Sequence, residues 1–128
     1  MMKEIFIFFL MVFCHIVDDY YLQGWLASAK QKEWWEKNAP QKLYEKDYIW
    51  ALSMHSFSWA FMVMLPTAIM LRFNIGFLWI TFFVFNVILH AFVDDAKANR
   101  KIINLWTDQL IHIFQIALTA FFLLVYEG

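Results

Sequence analysis

This 128-residue chain contains few cysteines, few glycines and few charged residues. Its single cysteine, Cys14, excludes an intrachain disulfide, and it lies in an apolar run where a small packing residue is expected. The sequence has no glycine-rich phosphate loop and no serine- or cysteine-based nucleophile motif. Charged residues make up 16% of the chain and the formal net charge is −1, so no nucleic-acid partner is expected.

Hydrophobic residues, in contrast, make up 62% of the chain, and 15 of the 128 residues are phenylalanine. Such a composition lies far from the soluble average and indicates a membrane protein with one domain over residues 1–128. The apolar run after Lys3 is not followed by a small-residue cleavage site, so we expect it to be a retained helix rather than a signal peptide.

Four segments are long and apolar enough to be transmembrane helices, which need about 20 residues each. They cover residues 4–26, 48–71, 75–97 and 102–126. The polar connection over residues 27–47 predicts an interfacial helical segment, broken near Asn38 and Pro40. The predicted fold is therefore an all-α integral membrane four-helix bundle with an interfacial segment between spans one and two.

Lysine and arginine residues are distributed unevenly between the two sides of this bundle. Residues 27–47 carry five lysines and residues 97–103 carry three basic residues, whereas the other side has Lys3 and Arg72. Positive residues favour the cytoplasmic side, so both loops are predicted to be cytoplasmic and both termini outside, in a bacterial inner membrane. The loop lysines are interpreted as headgroup contacts and topology determinants.

All four histidines lie within the predicted spans, and three of them share one spacing with an aspartate. The pairs are His15 with Asp19, His90 with Asp94, and Asp108 with His112, and the fourth histidine is His55. Four residues advance a helix by roughly 6 Å and return to nearly the same face. Ionisable residues at mid-membrane cost about 3 kcal/mol each on insertion scales, so they usually have a function.

The order of histidine and aspartate reverses in span four, where the chain direction also reverses. This predicts a layer of four histidines with three aspartates on its cytoplasmic side. On a helical projection Asp94 shares the face of His90 and Asp95 does not, whereas either Asp18 or Asp19 could face the site with His15. Ser53, Ser56 and Ser58 surround His55 and are assigned no role.

Imidazole and carboxylate groups together suit a divalent metal. The predicted ligands are His15, Asp19, His55, His90, Asp94, Asp108 and His112. Zinc is the expected metal, with manganese and Fe(II) as alternatives, and seven ligands suit one or two ions with water in open positions. Gln23 lies on the same helix face as His15 and Asp19, and Lys97 lies on the same face as His90 and Asp94. Both are predicted to hold a substrate oxyanion at a mouth of the bundle that is open to lipid headgroups.

The ordered pattern His15-x3-Asp19-Tyr20-x2-Gln23, His55, His90-x3-Asp94-x2-Lys97 and Asp108-Gln109-x2-His112 resembles the domain-of-unknown-function 3307 family of small bacterial and phage membrane proteins. It is distantly similar to inner-membrane metal-dependent hydrolases. The resemblance implies a metal-dependent activity without naming a substrate. It adds Gln109 to the candidate substrate-binding residues. The candidate catalytic residues are Lys97 and Asp18, and Asp18 is an acid that the family pattern lacks.

Three functions follow as hypotheses. The first is a metal-dependent hydrolase acting on a lipid or another amphipathic phosphate or acyl substrate. The second is a non-enzymatic phage or bacterial membrane protein whose structural His/Asp core supports binding to a host membrane protein. The third is a divalent-cation or proton carrier, which would require a homo-oligomer because four short spans rarely enclose a pathway. Membrane lipids are expected partners in each case.

Overall fold

The structure is a computed structural model that describes residues 1–127, and over that range it is all-α, with no strands. Helix α1 covers Met2–Ile16 and continues as a π-helical turn over Val17–Leu22. Two short helices follow, α2 over Leu26–Ala29 and α3 over Lys32–Asn38, and then a 3-10 turn over Lys42–Tyr44. The long helices α4, α5 and α6 cover Asp47–Met70, Phe77–Ala98 and Leu105–Tyr126.

Within residues 1–127, four helical segments are long and apolar enough to cross a membrane. They are α1 with its π-helical turn, α4 with the turn that precedes it, α5 and α6. Their outward faces carry many exposed apolar side chains, such as Phe6, Phe9 and Phe13, while all four histidines and four of the aspartates are buried. Exposed apolar surface of this extent needs an apolar environment, which is consistent with a membrane protein.

Two boundaries differ from the sequence prediction by three or four residues. The first span ends at Leu22 rather than at residue 26, because Gly24 takes a left-handed conformation with φ of +52° that ends the helix. The fourth begins at Leu105 rather than at residue 102, because the side chain of Asn104 caps the helix by accepting a hydrogen bond from the Thr107 amide.

Helix α4 packs against α5 and α1, and α6 contacts α5, α1 and α4, so the four long helices surround one interior. The half of this interior nearest the chain termini is mainly apolar. It holds two clusters, one around Met11, Trp59 and Ile116 and the other around Met64, Trp79 and Leu123. The other half holds the buried histidines and aspartates.

The connection between α1 and α4 is helical and broken after Asn38, as the sequence predicts. It packs onto the bundle, since α2 and α3 both contact α4. Its tryptophans Trp25, Trp34 and Trp35 meet edge to face, with ring centroids 5.0–6.0 Å apart. The Trp35 indole N–H also donates to the Ala29 carbonyl, which holds α3 against α2.

Candidate metal centre

Three histidines and three aspartates from four helical segments meet in the bundle interior, and each is at most 7% exposed. The π-helical turn supplies Asp19, α4 supplies His55, α5 supplies His90 and Asp94, and α6 supplies Asp108 and His112. Each four-residue His–Asp step in α5 and α6 therefore presents both of its side chains to the same interior, as helical periodicity requires.

Asp94 lies at the centre of this group. Its Oδ2 atom is 3.2 Å from His55 Nε2 and 3.7 Å from His90 Nε2, and its Oδ1 atom is 3.6 Å from His112 Nε2. A single carboxylate thus faces three imidazoles that come from three different helices.

The Nε2 atoms of His55 and His90 lie 3.1 Å apart, and Asp19 Oδ1 lies 3.3 Å from His55 Nε2. His90 is fixed in this position by stacking, because its ring packs against those of Trp59 and His112 with both centroid distances at 4.2 Å. The imidazole edges therefore converge on the carboxylates while their faces pack against one another.

The tautomer of His112 follows from a buried network on its far side. Gln115 Nε2 donates to the side-chain and main-chain oxygens of Asn86, so Gln115 Oε1 is left to accept from His112 Nδ1–H at 3.2 Å. The Nε2 atom of a neutral His112 then carries a lone pair, and it faces Asp108 Oδ1 at 3.3 Å as well as Asp94. A lone pair facing two carboxylates is stabilised by a cation between them.

Several buried atoms in this interior have no hydrogen-bond partner among the described residues 1–127. They include one oxygen of each of Asp18, Asp19, Asp94 and Asp108, together with His55 Nδ1, His90 Nδ1 and His112 Nε2. Unsatisfied buried polar atoms are costly, and in native proteins they often indicate an ion or water.

Three sets of residues have ligand atoms within 4.8 Å of one another and could hold a metal ion. The sets are Asp19 with His55 and His90, His90 with Asp94 and His112, and Asp19 with Asp108 and His112. Asp19, His90 and His112 each belong to two sets, so the six residues form one connected centre rather than separate sites.

The buried carboxylates of this interior outnumber its lysines. Four buried carboxylates, those of Asp18, Asp19, Asp94 and Asp108, face two ammonium groups, which belong to Lys30 and Lys97. With neutral imidazoles, the excess is two negative charges. One divalent cation would neutralise it, and an uncompensated buried charge is strongly unfavourable.

His15 has a different environment from the other three histidines. Its Nδ1 atom accepts a hydrogen bond from the Trp59 indole at 2.8 Å, and its Nε2–H therefore donates to Gln109 Oε1 at 2.9 Å. Both ring nitrogens are engaged, and His15 is in none of the three candidate metal sets found among residues 1–127. Its predicted role as a ligand remains a prediction, and the two hydrogen bonds fix its ring between Trp59 and Gln109.

Asp18 and Asp19 are both buried, whereas the sequence left open which of the two faces the interior. The π-helical turn has a wider repeat than an α-helix, and it directs two adjacent side chains into the interior. Asp18 accepts a hydrogen bond from Ser58 at 2.7 Å, and its other oxygen lies 4.0 Å from His55 Nδ1. Asp18 thus lies behind His55, on the side away from Asp94, and Ser58, to which the sequence assigned no role, holds it there.

The candidate substrate-binding residues divide into two groups. Lys97 and Gln109 lie at the centre, since Lys97 Nζ is 2.8 Å from Asp108 Oδ2 and the Gln109 amide contacts both Asp108 (2.8 Å) and Asp19 (3.3 Å). Gln23 instead donates to the main-chain oxygen of Asp19, so its amide closes the end of the π-helical turn. Its predicted contact with substrate remains a prediction.

Lys30 corrects the interpretation of the loop lysines as headgroup contacts. It is 5% exposed, and its ammonium group lies 2.6 Å from Asp94 Oδ2. The side chain of Asn99 fixes this part of the loop by donating to the Lys30 carbonyl and accepting from the Lys32 amide. No sequence periodicity relates residue 30 to residue 94, so only the folded chain reveals this contact.

Comparison of the chain with protein-family models, with curated proteins and with solved structures gives no match. The resemblance drawn from the ordered His/Asp pattern is therefore still a prediction.

Proposed function

We propose that this protein is a membrane-embedded, metal-dependent hydrolase that acts on an amphipathic phosphate or acyl substrate. The observation that carries the proposal is the convergence of His112 Nε2 with one oxygen each of Asp94 and Asp108, three buried atoms that have no hydrogen-bond partner among residues 1–127. Such an arrangement of neutral imidazole and carboxylate is the donor set of divalent metals in hydrolytic sites.

The metal ligands in this proposal are Asp19, His55, His90, Asp94, Asp108 and His112, with zinc, manganese or Fe(II) as the ion. The donors are nitrogen and oxygen, which all three metals accept. Residues shared between the candidate sets allow either one ion or two neighbouring ions. A divalent cation supplies Lewis acidity for the attack of water on a phosphoryl or acyl group.

The remaining polar residues have distinct roles around these ligands. Lys97, a quarter exposed, and Gln109 carry hydrogen-bond donors at the edge of the centre, where they can bind a substrate oxyanion. Asp18, held by Ser58, lies 4.0 Å from His55 Nδ1, on the side of the ring where carboxylates commonly orient metal-binding histidines.

A structural role is the second candidate function, and the two lysines favour it. Lys30 pairs with Asp94 and Lys97 pairs with Asp108, at 2.6 and 2.8 Å. In this alternative the ion pairs stabilise the bundle without turnover, and the protein acts by binding a partner in a phage-infected or bacterial membrane.

The cellular arrangement belongs to the same proposal. We place the chain in a bacterial inner membrane with residues 27–47 and 97–103 in the cytoplasm and both termini outside, on the basis of the lysine and arginine distribution. Reporter fusions that are active on one side of the membrane test this orientation. A cytoplasmic signal from a fusion at residue 127 would contradict it.

The proposed activity is tested with purified full-length protein in phospholipid vesicles. We expect bound zinc, manganese or iron by elemental analysis, and release of a polar headgroup or a fatty acid that stops when a chelator removes the ion. Asp94→Asn should abolish turnover while retaining the helical content. A folded protein that binds none of these ions at micromolar concentration would refute the metal centre, and a metal-bound protein without turnover would favour the structural role.

A further inference from the structure

We propose that the groove between α1 and α6 binds a phospholipid, with its acyl chain in the groove and its headgroup beside Gln109. This proposal rests on the hydrolase function above and specifies its substrate class and the direction from which that substrate reaches the centre. The sequence alone suggested access from the cytoplasmic mouth of the bundle.

The groove has a volume of about 420 Å³ and lies within the two membrane-spanning segments that border it. Val12 and Ile16 from α1 and Ile113 from α6 line its apolar part. His15 and Gln109 give it polar atoms, and Tyr20 and Tyr21 complete the lining. We call it the lateral groove.

The two ends of the lateral groove differ in chemistry, as the two ends of a phospholipid do. Tyr20 and Tyr21 are 55% and 78% exposed and precede the end of the first span at Leu22. Tyrosines at the end of a span occupy the headgroup level of a bilayer. Val12 and Ile113 lie deeper along their helices, at the level of the acyl chains.

The polar part of the groove is continuous with the candidate metal centre. Gln109 accepts a hydrogen bond from His15 and donates to Asp19 and Asp108, so one side chain contacts both the groove and two proposed metal ligands. A phosphate or ester group beside Gln109 would thus be next to the centre without crossing the bundle.

Access from the end of the bundle is more restricted. The loop carrying α2 and α3 packs on α4, and its Lys30 covers Asp94 from that side at 2.6 Å. Asn99 holds the loop in place by two hydrogen bonds. A substrate that already lies in the bilayer avoids this obstacle by entering between α1 and α6.

Native mass spectrometry of the full-length, chelator-treated protein tests the proposal without turnover. The protein is taken from vesicles of phosphatidylethanolamine and phosphatidylglycerol, and the retained phospholipid is measured. Ile113→Trp fills the lateral groove. Leu118→Trp is the matched control, since it fills a separate groove of about 240 Å³ lined by Thr81, Phe82, Phe85 and Leu118.

We expect one phospholipid to remain on the wild type and on Leu118→Trp, and the retained fraction to fall about tenfold in Ile113→Trp. Diacylglycerol with the same acyl chains should be retained less than the phospholipids, and inorganic phosphate should not displace them. If Ile113→Trp fails to fold, Val12→Phe narrows the same groove from α1 and should give the same loss.

Equal retention in the wild type and the groove variants would overturn the proposal whether or not the protein hydrolyses lipid. A change from dimer to monomer in Ile113→Trp, without loss of lipid, would also overturn it by showing that a second copy occupies the groove. Lipid retention that depends on the groove, in a protein without metal or turnover, would keep the groove proposal and reject the hydrolase.

Discussion

The Nδ1 atom of His112 lies 3.2 Å from Oε1 of Gln115, one helical turn further from the candidate metal centre. Because Gln115 uses its amide hydrogens on Asn86, this contact assigns the proton of His112 to Nδ1 and leaves Nε2 to face Asp94 and Asp108. A residue outside the centre thereby determines which atom the centre presents to a cation.

Replacing Gln115 should consequently weaken metal binding. Gln115→Leu removes the acceptor of His112 Nδ1–H, and we expect metal affinity to fall about 10- to 100-fold, as for other partners that orient metal-binding histidines. Isothermal titration with zinc measures the change. Thr119→Val is the control, because Thr119 accepts from Asn86 in the same network without touching His112. Equal losses in both variants would mean that the network affects only stability.

Asp94 and Asp95 provide a matched pair of variants that tests whether the centre binds metal. Asp94→Asn removes the carboxylate charge that three imidazoles face. Metal affinity should therefore fall by more than about 100-fold, which exceeds the loss expected for a residue that only orients a ligand. Asp95 points away and pairs with Arg100 and Asn99, so Asp95→Asn should retain the ion. Elemental analysis of both purified variants checks this. Retention of metal by Asp94→Asn would place the site elsewhere.

Lys30 should compete with a metal ion for Asp94. Its ammonium lies 2.6 Å from Asp94 Oδ2, so Lys30→Met frees that oxygen and removes a neighbouring positive charge. We expect zinc affinity to rise about tenfold, equivalent to ~1.4 kcal/mol. The control is Lys32→Met, in the same loop but half exposed and near Glu36. An affinity lowered by Lys30→Met would show that Lys30 supports the metal-bound form.

Changing His15 or His90 to glutamine should have different effects on metal binding. His90 is in two of the candidate metal sets, whereas both nitrogens of His15 are bonded to Trp59 and Gln109. His90→Gln should therefore lose the ion and His15→Gln should retain it, with a lower melting temperature from the broken hydrogen bonds, each worth about 1 kcal/mol. Metal content and thermal unfolding separate the two effects. Loss of metal in His15→Gln would support the original set of seven ligands.

Sequence periodicity predicted the residues that share a helix face. The four-residue steps in α5 and α6 place His90 with Asp94 and Asp108 with His112, and the reversed order in α6 predicted that these pairs would meet. Asp95 was assigned to the outside by the same argument, and it is the partly exposed partner of Arg100. These relationships depend on helix geometry, which local sequence determines.

Contacts between helices that are distant in the chain could not be predicted in this way. The hydrogen bonds Trp59–His15 and Ser58–Asp18 join residues more than one helix apart and have no periodic signal. The buried polar residues Asn86, Gln115 and Thr119 give a signal that was missed, since polar side chains inside an apolar span usually face the bundle interior.

The amino-acid sequence by itself determined that the chain is helical, that four segments are long and apolar enough to span a membrane, and which ionisable residues share a helix face. It did so because hydrophobicity and the helical repeat are local properties. Tertiary structure decided three further matters: the π-helical turn that buries Asp18 and Asp19 together, the loop that brings Lys30 to Asp94, and the hydrogen bonds that separate His15 from the other histidines. Each depends on which helices pack side by side, and that choice is made by the whole chain rather than by any one segment.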